Sequence, residues 1–99
     1  MLFGRADINA SVEECRGTPG AVLLDVRETD EFRSGHIPGA VNLPLSRIGE
    51  AAFERSAPLF LYCLRGTRSR QAVGELRRMG YQNVKSIGGI ARYRGGLER

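Results

Sequence analysis

A cysteine followed by glycine and several arginines is the segment of this sequence with the clearest chemical potential. Cys63 ends an apolar run and precedes Leu64-Arg65-Gly66-Thr67-Arg68, after which Ser69 opens a helical pattern. Backbone N–H groups at a helix start attract anions, and guanidinium groups add positive charge. Because both effects favour a thiolate over a thiol, we expect the Cys63 pKa to lie well below that of a free cysteine. The alternative, an inert buried cysteine, is the common fate of an isolated thiol.

The other nucleophilic and titratable candidates favour structural interpretations. Cys15 falls on a short helical segment and is expected to be a small apolar or surface residue. His36 lies in a Gly-His-Ile-Pro-Gly turn, where we expect it to hydrogen-bond to the backbone. Asp25, Arg27 and Glu31 follow an apolar run and are expected to form an ion-paired loop anchor. One histidine and two cysteines are too few for a structural zinc site, so no metal is expected.

Apolar runs and helical patterns alternate along the chain and would position these residues. Residues 21–26 follow a Gly-Thr-Pro-Gly turn and are typical of a strand buried on both faces. The patterns predict further strands at 41–43, 58–62 and 83–87, and helices at 10–16, 30–34, 46–54 and 68–79. This alternation predicts an α/β fold in which a small, mostly parallel sheet is flanked by helices on both faces. Ligands bind beyond the carboxyl ends of such strands, where Cys63 lies.

Length and composition limit the possible classes of protein. A chain of 99 residues supports one hydrophobic core, so a single domain over residues 1–99 is expected. No uncharged stretch is long enough to cross a bilayer, and no membrane association is expected. Residues 1–7 lack the pattern of a secretory signal, which favours a cytoplasmic protein whose two cysteines are free thiols.

Positive charge is concentrated towards the C-terminus. Residues 1–61 carry six arginines and nine acidic residues, a net charge of −3, whereas residues 62–99 carry nine basic and two acidic residues, a net charge of +7. A basic surface can bind nucleic acid, an acidic protein or an anionic small molecule. Because the chain has no basic run, zinc-finger spacing or RNA-binding motif, nucleic acid is not expected as a partner. The Cys63 loop begins this basic segment, so a small anionic substrate is favoured.

Three blocks of the sequence resemble rhodanese-type sulfurtransferase domains. Leu24-Asp-Val-Arg27, followed by Glu31-Phe-Arg-Ser-Gly-His-Ile-Pro-Gly-Ala-Val-Asn-Leu-Pro44, is similar to the N-terminal signature of that family. Tyr62-Cys-Leu-Arg-Gly-Thr-Arg-Ser69 is similar to its active-site loop, and Gly88-Gly-Ile90 to its C-terminal block. The blocks occur in the family's order and cover most of the chain.

The resemblance implies a rhodanese domain in which Cys63 is the catalytic nucleophile. Substrate binding is then expected at the loop residues Leu64, Arg65, Gly66, Thr67, Arg68 and Ser69. The implied reaction is a double displacement without an external cofactor: the thiolate takes the outer sulfur of thiosulfate, releases sulfite and becomes a persulfide. Cyanide, a thiol or an acceptor protein then removes that sulfur. Arg68 is the first candidate for binding the anionic donor, and Arg65 is the second.

Alternatives of the same fold differ in the length of this loop. Related phosphatases and arsenate reductases place five residues between cysteine and arginine, whereas here Ser69 occupies that position and Arg68 comes one residue early. The count favours sulfur transfer over phosphate chemistry. A persulfide relay or a partner-binding module with little thiosulfate turnover stays as the alternative. Leu64 replaces a residue that is often polar or basic, so we expect an apolar pocket mouth that suits an apolar or protein acceptor.

Overall fold

Four parallel strands form the centre of the molecule. The structure is a computed structural model and describes residues 7–99. Residues 1–6, on which the prediction of no secretory signal mainly rests, lie outside the described residues. The strands are β1 (Val22–Asp25), β2 (Val41–Asn42), β3 (Leu59–Cys63) and β4 (Val84–Gly89). They pair in the order β2-β1-β3-β4, with every pairing parallel, so the predicted α/β fold is confirmed.

Helices cover both faces of the sheet, as predicted. They are α1 (Ile8–Arg16), α2 (Thr29–Ser34) and α3 (Thr67–Arg78). All five residues of β3 are buried, and alternate residues join two separate apolar clusters. Leu59, Leu61 and Cys63 pack on the α3 side, whereas Phe60 and Tyr62 pack on the α1 side. A strand covered on both faces needs apolar residues at every position, which explains the continuous run in the sequence.

The helix predicted over 46–54 is wrong in type and extent. The chain forms a 3-10 helix only over Leu45–Glu50, and residues 51–58 are irregular. Gly49 weakens helix propagation here, and the Ala51 N–H bonds three residues back rather than four. The Phe53 N–H instead donates to the Tyr81 hydroxyl at 2.9 Å, which ties this segment to the core. Elsewhere the predicted and observed elements agree to within two residues at each end.

The helices of residues 7–99 are short or amphipathic. None of them is both long enough and apolar enough to cross a membrane. The longest, α3, buries Ala72, Val73 and Leu76 against the sheet and leaves three of its arginines exposed, namely Arg70, Arg77 and Arg78. Its first residue follows Cys63 after a short loop, so the fold places the end of β3 against the start of α3. This junction positions the site.

Candidate active site

Cys63 is the last residue of β3 and is almost completely buried, with 1% of its surface exposed. The chain leaves the strand through Leu64 and Arg65 and enters α3 at Gly66. Gly66 has φ +107°, in the left-handed region that a residue with a Cβ rarely adopts. This conformation turns the loop back over the thiol, so the loop amides face the sulfur.

Backbone and side-chain donors converge on the Cys63 sulfur. The Gly66 N–H donates to Sγ at 3.0 Å, the Ser69 N–H donates at 3.4 Å, and the Ser69 Oγ lies 3.7 Å away. Burial acts to raise the pKa of the Cys63 thiol, but bonds from Ser69, Gly66 and Arg65 together outweigh it and lower this pKa. The expected activated thiolate therefore has a structural basis in donors that prefer the charged sulfur.

Ser69 belongs to a small buried network that sequence analysis identified only in part. Its Oγ lies 3.0 Å from the Gly66 carbonyl oxygen and 2.6 Å from the Ser86 Oγ on β4. The single Ser69 proton can go to Gly66 or to the sulfur, and the Ser86 hydroxyl can supply the second bond. Ser86 was not predicted as a site residue. In the sequence, Ser86 is a single hydroxyl residue in a predicted strand, and its neighbours Lys85 and Ile87 do not indicate a functional site.

Gly89 allows β4 to support the loop from behind. A Cβ at Gly89 would overlap the Leu64 carbonyl oxygen and lie 2.5 Å from the Arg65 Cα. The Ala91 N–H donates to that same carbonyl at 3.1 Å. The C-terminal glycine block therefore serves the site by close backbone approach, which fixes the loop that encloses the sulfur.

Arg68 lines the opening beside Cys63 and pairs with Glu31 on helix α2. Its two terminal nitrogens contact the two carboxylate oxygens of Glu31 at 2.6 Å and 3.0 Å. The Arg68 hydrogen bonds lower the pKa of Glu31 to about 2, although partial burial acts to raise it. Glu31 also accepts the Glu28 N–H at 2.9 Å in a capping box at the start of α2. The prediction that Glu31 joins the Asp25 and Arg27 anchor therefore needs correction, because Glu31 pairs with the active-site loop.

A cavity of about 180 Å³ opens beside the cysteine. Its lining residues are Cys63, Leu64, Arg65, Thr67 and Arg68. The side chain of Leu64 is partly exposed (38%), which fits the expected apolar mouth. Arg65 is exposed and forms no ion pair with a carboxylate among residues 7–99. The fold thus brings all predicted loop residues together, with Gly66 and Ser69 on the sulfur and the others around the opening.

Comparison with known proteins agrees with this arrangement. Residues 9–95 match the family model described as rhodanese-like domain. The chain belongs to the rhodanese-like domain family. The matched residues include Cys63, its loop and the C-terminal glycines, so the family that the three sequence blocks indicated is confirmed.

Named relatives and a solved structure support both the family and the fold. The thiosulfate sulfurtransferase GlpE of Pseudomonas savastanoi is 38% identical over 71% of this chain and 68% of its own length. The tRNA sulfurtransferase of Desulfurococcus amylolyticus is 38% identical over 88% of this chain, which spans only 18% of that protein. A crystal structure of a Staphylococcus saprophyticus protein is 27% identical and superposes with a TM-score of 0.82, covering 98% of this chain and 100% of that one.

An ion pair holds the first loop of this rhodanese-like domain. Arg27 donates to the fully buried Asp25 carboxylate, with a shortest contact of 2.7 Å, and to the Gly35 carbonyl at 2.8 Å. Because both charges are buried and hydrogen-bonded to each other, this pair fits the predicted anchor. His36 is also structural, since a ring nitrogen lies 2.9 Å from the Phe32 carbonyl oxygen and its ring stacks on that phenyl ring.

The second cysteine is separated from Cys63 by the sheet. Cys15 is buried in the cluster on the α1 side, whereas Cys63 is buried in the cluster on the α3 side. Burial raises the pKa of the Cys15 thiol, which keeps it protonated and unreactive. Among residues 7–99, no group of three or more His, Cys, Asp or Glu side chains could hold a metal ion.

Proposed function

We propose that this rhodanese-like domain transfers sulfane sulfur from thiosulfate, through a persulfide on Cys63, to a separate acceptor. The observation that carries the proposal is the convergence of the Gly66 and Ser69 N–H groups on Sγ at 3.0 and 3.4 Å. These donors stabilise a negatively charged sulfur and are in place before reaction, so no reorganisation is needed when charge develops.

In the first half of the proposed reaction, the Cys63 thiolate attacks the outer sulfur of thiosulfate. A sulfur–sulfur bond to Cys63 forms, the bond to the sulfonate sulfur breaks, and that electron pair leaves with sulfite. The lowered pKa of Cys63 supplies the thiolate without a separate general base. In the second half, cyanide or a thiolate attacks the outer persulfide sulfur, and Cys63 is regenerated as a thiolate.

The charge around the opening favours Arg65 as the residue that binds the donor. Both terminal nitrogens of Arg68 are engaged by Glu31, so its positive charge is already matched. Arg65 lines the same cavity without an ion-pair partner among residues 7–99. We therefore expect Arg65→Ala to raise the KM for thiosulfate more than Arg68→Ala does. The reverse order would restore Arg68 as the donor-binding residue.

The decisive experiment is mass spectrometry of the intact protein after treatment with thiosulfate. Wild type and Cys15→Ser should gain one sulfur atom, whereas Cys63→Ser should gain none. Cys15→Ser is a matched control because it also removes a buried thiol but leaves the loop untouched. A folded wild-type protein that gains no sulfur would refute the proposed use of thiosulfate. Capture of sulfur from a persulfide donor alone would then support the relay alternative.

An aryl phosphate tests whether the loop length has been interpreted correctly. In the phosphatase pattern, an arginine six residues after the cysteine binds the phosphoryl oxygens; here Ser69 occupies that position, and the neighbouring Arg68 is held by Glu31. We expect no turnover of the aryl phosphate that depends on Cys63. Appreciable turnover of the aryl phosphate that is lost in Cys63→Ser would favour a phosphatase instead.

We also propose that the reaction takes place in a reducing compartment such as the cytoplasm, where a free thiol and its persulfide are compatible with the surrounding thiol pool.

A further inference from the structure

A larger cavity lies next to the active-site loop, and Arg65 belongs to both. The cavity measures about 470 Å³, within the range of small-molecule sites. Its lining residues are Asp7, Ile8, Arg65, Ile87, Gly88, Gly89 and Arg92. An adjoining cavity of about 250 Å³ shares Arg65, Gly89 and Arg92 with it. We call this space the Arg65–Arg92 cavity. A ligand that fills it reaches the arginine at the rim of the Cys63 cavity.

The lining of this cavity carries positive charge from two arginines. Arg65 and Arg92 are exposed, and neither forms an ion pair with a carboxylate of residues 7–99. Ile8 and Ile87 also line the cavity but are almost fully buried, at 3% and 2% exposure, so they offer a ligand little apolar surface. Two guanidinium groups without a carboxylate partner suit a ligand with a carboxylate.

The acidic residue of the cavity has partners of its own. The Asp7 carboxylate accepts hydrogen bonds from the Asn9 side chain at 2.9 Å and from the Asn9 N–H at 3.2 Å. It also lies 3.8 Å from an Arg94 nitrogen. Asp7 is engaged by Asn9 and Arg94 but keeps its negative charge, so Arg65 and Arg92 are the lining charges that have no carboxylate partner among residues 7–99.

We propose that the Arg65–Arg92 cavity binds the carboxylate end of a small thiol that accepts sulfur from Cys63. This inference rests on the proposed function and specifies its second half. The thiolate of the acceptor attacks the outer persulfide sulfur, so a new sulfur–sulfur bond forms on the acceptor. The bond to Cys63 breaks, and its electron pair returns to Cys63 as a thiolate. The acceptor leaves as a persulfide, and no further oxidant or reductant is required.

The test compares three acceptors after the persulfide has been formed with thiosulfate. Glutathione carries carboxylates, 2-mercaptoethanol is a neutral thiol, and cyanide is too small to fill the cavity. We expect Arg92→Ala to raise the KM for glutathione about three- to fivefold, as one solvent-exposed charge contact supports. The KM values for 2-mercaptoethanol and cyanide should not change, because Arg92 does not line the Cys63 cavity.

Two further variants make the test independent of folding. Asp7→Asn removes negative charge from the cavity but keeps a good N-cap for α1, so it should lower the KM for glutathione. Arg78→Ala removes an arginine at the far end of α3, which pairs with Glu75, and should not change the KM for any of the three acceptors. Equal shifts for all three acceptors, or an unchanged glutathione KM in Arg92→Ala, would overturn the assignment. Failure to form the persulfide in wild type would instead refute the proposed function.

Discussion

Replacing Ser69 by alanine separates the two ways in which this residue contacts the nucleophile. The variant keeps the backbone N–H that lies 3.4 Å from the Cys63 sulfur and removes the hydroxyl at 3.7 Å. The Gly66 carbonyl retains the Arg70 N–H at 3.1 Å, so no backbone group is orphaned. The substitution therefore tests the hydroxyl alone.

The expected size of the effect follows from the length of this contact. A hydrogen bond to a charged group contributes about 1.5 to 3 kcal/mol, and the longest of the contacts to the sulfur belongs at the lower end. Loss of about 1.5 kcal/mol raises the Cys63 pKa and lowers the thiolate fraction about tenfold below that pKa. A more basic thiolate is also more nucleophilic, which recovers part of the rate and leaves a decrease of about threefold.

Alkylation by iodoacetamide, followed by intact mass over a range of pH, measures this change. Because the substitution raises the Cys63 pKa, the rate should fall below the pKa and show no loss above it. Thr67→Ala is the matched control, since its hydroxyl lies on the same turn and makes no hydrogen bond to residues 7–99. A rate that falls equally at every pH, or a midpoint that does not move, would refute the role given to the hydroxyl.

The remaining predictions concern stability. Arg68 holds the pKa of Glu31 at about 2 against an ordinary 4.5, so their pair stabilises fully above pH 4.5 and its contribution is lost as pH falls towards 2. Thermal denaturation of Arg68→Ala should therefore depend less on pH across that window, and parallel curves would contradict the pairing. Gly89→Ala should lower the free energy of unfolding by more than about 2 kcal/mol, because its Cβ overlaps the Leu64 carbonyl. Gly74 lies on α3 with open space around it, so Gly74→Ala should raise the free energy of unfolding by about 0.5 to 1 kcal/mol. Urea denaturation measures both variants, and equal effects at the two glycines would contradict these expectations.

Local patterns in the sequence were enough to predict which residues surround the Cys63 sulfur. Cys63 ends a strand, Gly66 lies three residues later and Ser69 lies in the first turn of α3, so a strand end, a glycine and a helix start predict their convergence. The Arg68 contact with Glu31 spans 37 residues, and its partner depends on how α2 packs beside the loop. Sequence spacing carries no information about that packing, so the sequence does not show that Arg68 has a carboxylate partner.

Ser86 and the 46–54 segment also depend on tertiary contacts that the local sequence does not show. Ser86 reaches Ser69 because β4 pairs with β3 in one particular register, which places Ser86 beside Leu61. The register is set by the whole sheet, and a one-residue shift would turn Ser86 to the other face. The residues of the 46–54 segment are compatible with a helix, but the Phe53 N–H donates a hydrogen bond to the Tyr81 hydroxyl instead of to a helical carbonyl. Tertiary contacts decided both outcomes.

The placement of the two cysteines in clusters on opposite faces of the sheet has a stoichiometric consequence for the proposed reaction. Cys15 cannot reach a persulfide on Cys63 to form a disulfide between the two cysteines and release the outer sulfur as hydrosulfide. With donor but no acceptor, the protein should therefore load one sulfur per chain and stop. The persulfide would then stay on Cys63 until an acceptor from outside the chain removes its outer sulfur.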